Sequence, residues 1–263
     1  MDGRHEAGCD DAVPNESISP PCQFRVHDLT ADFHVRVVRP MPELSRELDV
    51  EVEQLWQPAA SRVAAGGAGA LFNGRVFSAD SITPGLITGH LTEFRRVVAQ
   101  MEQPALFKTL RLRPLAVCGV VHCDDGVVIA RRHASALYQP GMWQLPPAGS
   151  VDEHAVDADG SVALTRQLLD ELSEELGLAT TDVYAPRPLC IVEHAGSHVS
   201  DFAMALRCRL DGPAILATHA ERGNQEYQSV RILRREELAR FVADTGARMV
   251  PPAPVFLRRA GLL

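Results

Sequence analysis

The chain has almost no lysine: Lys108 stands alone against 25 arginines, a bias that points to no function by itself. Basic charge as a whole is in deficit. With 26 Lys and Arg against 34 Asp and Glu, the net charge is −8, so the sequence offers no cationic face of the kind duplex nucleic acid requires. A nucleotide-sized anion is still compatible with that balance, because a bound cation can neutralise phosphate where the protein is acidic. No apolar run approaches the roughly 20 residues needed to cross a bilayer. The opening MDGRHEAGCDD lacks the apolar centre of a secretory signal. The six cysteines, at 9, 22, 118, 123, 190 and 208, show no zinc-site spacing, and reduced buried thiols are expected rather than disulfides. A soluble cytoplasmic protein is the expectation, with no membrane and no nucleic acid among its partners.

What is present is enough apolar material, 46% of 263 residues, for one large domain or two small ones. Residues 1–22 are polar with scattered Pro, Ser and Asn and read as a flexible tail. Alternation from Phe24 to Val38 predicts a strand or hairpin. Leu44, Leu48, Val52, Leu55 and Trp56 recur at helical spacing, with Pro42 near the start of that helix and Pro58 past its end. LFNGRVFSADSI (71–82) reads as strand, Asn73-Gly74 turn and strand, and 91–102 as a helix. From about 110, RPLAVCGVVHC, a DDG turn and VVIARRH form a hairpin. An insert at 150–161 leads to a helix over 162–177, with Gly177 as its C-terminal cap. Strands at PLCIVEH and DFAMALRCRL, a polar loop at 217–225, a strand at YQSVRIL and a helix over 235–243 complete the chain. The expected class is α+β: a smaller N-terminal α+β module over 23–108, for substrate recognition or dimerisation, ahead of a domain over 109–263 in which helices pack on a mixed sheet.

The helix at 163–178, ALTRQLLDELSEELGL, carries the chemical signal. Leu164, Leu168, Leu169, Leu172 and Leu176 form an apolar stripe. Glu171, Glu174 and Glu175 fall within one turn of one another and can converge. Three such anions repel unless a hard divalent ion with oxygen ligands relieves them. Glutamates on amphipathic helices are also commonly no more than a solvated face. Upstream, PGMWQLPPAG ends in Gly149, which allows close approach of backbone to phosphate.

DELSEELGL (170–178), preceded by WQLPPAG (143–149), resembles the box and approach segment of the Nudix hydrolases over about residues 110–245. The resemblance implies a Nudix-type α/β/α sandwich and Mg²⁺-dependent hydrolysis (Mn²⁺ as an alternative) of a nucleoside diphosphate linked to another group. It implies Glu171 and Glu175 as principal metal ligands, with Glu174 a third ligand or a water-activating base. Two positions depart from the pattern. Asp170 stands where the family has arginine, with Arg166 one turn earlier as a substitute brace. Val162 stands where a further glutamate is usual, with Asp152 or Glu153 as replacements from the insert. A base from a later loop would be Glu221 or Glu226. The region ahead of the box resembles UDP-glucose pyrophosphatase-type Nudix proteins, which implies a UDP-sugar as substrate, split to UMP and sugar 1-phosphate. Phe72 and Phe94 would then contact the base, Arg131 or Arg132 the phosphates, and Gln144 the sugar or ribose; core packing is the alternative role for both phenylalanines. The PPAG segment also resembles ADP-ribose enzymes, so ADP-ribose or NADH is the second expectation. A catalytically silent nucleotide-binding module is the third. A homodimer built on the N-terminal module is compatible with all three.

Overall fold

A computed structural model describes residues 24–66 and 70–263. The expected tail over 1–22, with Cys9 and Cys22, lies outside the described residues. The first half comprises β1 (Phe24–His27), β2 (His34–Val37), α1 (Arg46–Ala65), β3 (Arg75–Ile82), β4 (Leu86–Glu93), α2 (Phe94–Glu102) and α3 (Phe107–Leu110). The second comprises β5 (Leu115–Cys123), β6 (Gly126–Arg132), β7 (Trp143–Gln144), β8 (Ala148–Ser150), α4 (Leu164–Leu176), β9 (Val183–His194) and β10 (Ser200–Cys208). It ends with α5 (Gly212–Arg222), β11 (Tyr227–Leu233), α6 (Arg235–Thr245) and α7 (Ala253–Ala260).

The larger sheet runs β1-β9-β10-β5-β6-β11. It is mixed, because β10 and β5 are parallel while their neighbours pair antiparallel. Along β10 successive residues serve opposite faces, as the two-residue period of a strand requires. Phe202, Met204 and Leu206 pack with Leu164, Leu168, Leu172 and Leu176 of α4 and Ile215 of α5. Ala203 and Ala205 face the other way, toward Leu238 of α6 and Phe256 and Leu257 of α7. The α+β class with helices on both faces of a mixed sheet is therefore the observed architecture. Leu168, Leu172 and Leu176 are fully buried, each stabilising the fold by roughly 1.5–3 kcal/mol through removal of apolar surface from water. Gly177 closes α4 at φ 69, a left-handed turn that favours glycine.

A smaller sheet, β2-β4-β3, lies against the same core, since Val35, Phe77, Ala79 and Ile87 cluster with Leu115 and Val117. Several local expectations are corrected. The 24–38 segment is not a hairpin: β1 pairs with β9, and β2 runs parallel to β4. Alternation marks strands but does not name their partners. Pro58 lies inside α1 rather than beyond it. The helix absorbs that cost, about 3 kcal/mol, because Val52, Trp56, Ala59 and Val63 bury one continuous face. Residues 71–74 form no strand. Asn73 instead accepts the Arg95 N–H through its side chain at 2.9 Å and brackets the start of α2, while 91–93 belong to β4. The expected loop at 217–225 is largely α5, whose first turn is capped by the Asp211 side chain accepting from Ala214 N–H at 2.9 Å.

Candidate active site

The leucine stripe of α4 faces the sheet, which turns the side bearing Glu171 and Glu175 toward β8. Gly149 in β8 is the point of closest approach. A side chain there would collide with Glu171 Oε1, so the carboxylate occupies the space that only glycine leaves. Gln167, one turn before, donates to Glu171 Oε1 at 3.0 Å. Burial, followed by the nearby charges of Glu226, Glu174 and Asp152, pushes the Glu171 carboxyl up to about 7.

Glu175, one turn later, is fully buried. It accepts the Ala148 N–H at 3.0 and 3.2 Å and the Tyr227 hydroxyl at 2.5 Å. Burial and the charges of Glu226 and Glu171 hold its carboxyl well above the ordinary range. Glu226, just ahead of β11, is likewise raised by burial, with Arg132 opposing and Glu174 adding to the rise. Glu174 itself is exposed. Glu171, Glu175 and Glu226 thus lie close together, with the exposed Glu174 on the same helix beside them. Among the described residues, however, no three His, Cys, Asp or Glu side chains already stand as a finished metal cage.

Beside this acidic group lies a cavity of about 860 Å³. Its walls are mostly apolar, with Phe94, Val97 and Met101 from α2, Leu115 from β5 and Phe256 from α7. Of the residues singled out from sequence, Phe72, Phe94, Arg132, Gln144, Gly149 and Glu171 all line it. Phe94 is also packed edge-on against Trp56, at 6.3 Å between centroids, so it serves core and cavity together. Phe72 is 83% exposed and stands at the rim. Arg131 does not join them: it is exposed and donates to the Gly141 carbonyl at 3.0 Å, because successive residues of β6 point to opposite sides. Arg132 donates to Gln144 Oε1 at 2.8 Å and sits 3.6 Å from Glu226, and its buried Nε has no partner among the described residues. Gln144 in turn donates to the Tyr227 hydroxyl at 2.8 Å.

The substitutes for the missing box residues fare unequally. Arg166 bonds Asp157 Oδ1 and the His154 carbonyl, both at 3.0 Å. It stabilises the insert and makes no contact with Glu171. Asp152 is near enough to raise the Glu171 carboxyl, whereas Glu153 is exposed. Glu226 faces the cavity, while Glu221 is exposed on α5 beside Arg222. Tyr227, Tyr138 and Asp201 were not anticipated. Tyr227 carried only the signal of a strand aromatic, and Asp201 only that of a polar residue opening an apolar strand.

No family model matches the chain, and no curated protein matches it. Solved structures similar in fold include a Nudix hydrolase from Nitrosomonas europaea, 13% identical over 56% of this chain and 88% of that one, with a TM-score of 0.40. A MutT protein from Methanosarcina mazei Go1 is 16% identical over 56% of this chain and 93% of that one, TM-score 0.36. An ADP-ribose pyrophosphatase from Streptococcus suis is 17% identical over 47% of this chain and 75% of that one, TM-score 0.29. Likeness at that level concerns the fold alone. Among the described residues no helix is long and apolar enough to cross a membrane.

Proposed function

We propose that the chain is a Nudix-type pyrophosphohydrolase acting on a nucleoside diphosphate linked to a second group, most closely a UDP-sugar. The observation that carries this reading is the group of Glu171, Glu174, Glu175 and Glu226 at the edge of an apolar cavity. Holding Glu175 fully buried beside Glu171, whose carboxyl is raised by burial, is costly, and sites of that kind are arranged for ligands and chemistry. The donor set fits a hard divalent ion, since every candidate ligand is a carboxylate oxygen. Glu171, Glu174 and Glu175 are the residues that would hold it. Bound there, Mg²⁺ or Mn²⁺ supplies charge neutralisation to the diphosphate.

The chain's own groups account for the rest. Glu226, its carboxyl raised by burial, is placed to accept a proton from the attacking water. Arg132 lines the cavity, and its guanidinium is a group suited to phosphate oxygens. Gln144 fixes the guanidinium from the far side. Tyr227 and the Ala148 N–H hold Glu175 in register. The apolar walls and the rim phenylalanine Phe72 suit a base or sugar attached to the diphosphate. ADP-ribose and NADH fit the same cavity chemistry and are the second substrate class.

Two features favour a different class of function. Asp170 stands where the resemblance expects the bracing arginine, and Arg166, its expected substitute, is committed to Asp157. Those features suit a nucleotide-binding domain without turnover. Incubating the full chain with UDP-glucose, ADP-ribose and NADH separately, in Mg²⁺ or Mn²⁺, and resolving UMP or AMP by chromatography decides between them. Turnover of any diphosphate supports the hydrolase, and failure of all three with retained nucleotide binding supports the silent domain.

A further inference from the structure

Across the cavity from Glu171, β10 contributes a second carboxylate that the proposed hydrolysis does not use. Asp201 lines the cavity wall and lies in register with Ala116 of β5, which pairs with Ser150 of β8. Two strand spacings, about 10 Å, therefore separate Asp201 from the β8 segment against which Glu171 packs. Asp201 is held by a chain of hydrogen-bonded groups. Its Oδ2 pairs with His194 Nε2 at 2.8 Å, and His194 is 6% exposed. The other ring nitrogen of His194 pairs with the Tyr138 hydroxyl at 3.1 Å, which meets Ser197 Oγ at 2.9 Å. Three residues, His194, Tyr138 and Ser197, thus fix one carboxylate. Its second oxygen, Oδ1, accepts nothing from the described residues.

Resting on the hydrolase reading, we infer that Asp201 is a specificity-determining acceptor for the non-phosphate part of the substrate, taking a hydroxyl or a ring N–H of the sugar or base on Oδ1. Charge sets this orientation. A fixed anion repels a diphosphate, whereas it attracts neutral O–H and N–H donors strongly. The diphosphate belongs instead beside Arg132 and the ion that the glutamates would hold, which leaves the attached group to Asp201. The surroundings agree, because Leu115 and Val199 make this end apolar and a lone charged acceptor there discriminates by what it can pair with. A ligand lacking the donor leaves the acceptor unpaired, and such mismatches are heavily penalised. Tyr138 and His194 act as positioning residues, and burial pushes the Tyr138 hydroxyl up to about 12, so it stays a neutral link.

The test uses phosphate-free probes, so that it does not depend on turnover. Calorimetric binding of uridine, adenosine and methyl glucoside to the full chain is compared with Asp201→Ala and Asp201→Asn, all checked for folding by thermal melt. At least one probe should bind the wild type. Asp201→Ala should weaken that probe at least tenfold, the scale of one charge-assisted hydrogen bond, and Asp201→Asn, which keeps a carbonyl oxygen, should fall between. Preference for a nucleoside assigns Oδ1 to the base or ribose, and preference for the glucoside assigns it to the sugar. Equal binding by wild type and Asp201→Ala, or no detectable binding of any probe, overturns the inference. Absence of diphosphate hydrolysis alongside Asp201-dependent binding would overturn the hydrolase reading and leave this one standing. Should Asp201→Ala fail to fold, Asp201→Asn decides by the same criterion.

Discussion

Replacing Glu171 with glutamine should make the metal-free protein more stable, not less, and the effect should depend on pH in a defined direction. The Glu171 carboxyl is held at about 7 against an ordinary 4.5. At 1.36 kcal/mol per pH unit, ionising it in the folded state costs on the order of 3 kcal/mol. Below the ordinary value both folded and unfolded chains carry the proton, and nothing is lost. As pH rises the unfolded chain ionises first, so stability falls until the folded carboxyl also ionises near 7, after which the loss is complete. Glutamine has no such charge, and its carbonyl oxygen keeps the hydrogen bond from Gln167 Nε2. For a chain of this size each kcal/mol moves the melting temperature by roughly 2 °C. Glu171→Gln should therefore melt roughly 6 °C above the wild type near pH 8.5 with a chelator present, and roughly 2 °C above it near pH 5. The assay is a thermal melt of both proteins across that range. A variant that melts below the wild type at the alkaline end would refute the claim that this carboxylate is buried under electrostatic strain. Adding Mg²⁺ should raise the wild-type melting temperature and leave the variant's nearly unmoved, because a ligand stabilises only the state that binds it.

Gly149→Ala should fold almost normally, since the atom it meets is the flexible end of Glu171, yet displace that carboxylate and lower kcat at least tenfold in the diphosphate assay. Tyr227→Phe removes the hydroxyl that donates to Glu175 and accepts from Gln144. It should cost about 1–3 kcal/mol in urea unfolding, the penalty for leaving buried polar groups unpaired. Leu168→Ala, at a fully buried position of α4, should cost about 2–5 kcal/mol in the same experiment.

The parts of the fold legible in the sequence were those where one local rule dominates. The leucine spacing of α4 and the Gly177 cap, the DDG turn between β5 and β6, and the strand alternation of β11 each state their structure within a few residues. Errors arose where distant packing decides. Pro58 is a helix breaker by local chemistry, and only the buried face of Trp56 and Val63 explains why α1 runs through it. Helix α5 did carry local signals, the Asp211 cap with Pro213 in the first turn, but polar residues toward its end read as loop. At the candidate site, the helix spacing that sets Glu171 and Glu175 one turn apart is local, whereas Gly149, expected to let backbone approach a phosphate, is seen instead to pack against Glu171. The partnership of Glu175 with Tyr227, and the chain from Asp201 to Ser197, join residues far apart in sequence, and nothing local announces them. Arg131 and Arg132 were indistinguishable from sequence; strand pleat alone sends Arg132 to the cavity and Arg131 to solvent.

The most direct test of the central claim is the product analysis of a UDP-sugar incubated with wild type and with Glu171→Gln, in the presence of Mg²⁺ and after its chelation. Metal-dependent appearance of UMP and sugar 1-phosphate with the wild type, lost in the folded variant, is the predicted outcome. Hydrolysis that persists undiminished in Glu171→Gln would contradict the account, because the carboxylate seated against Gly149 would then have no part in the chemistry.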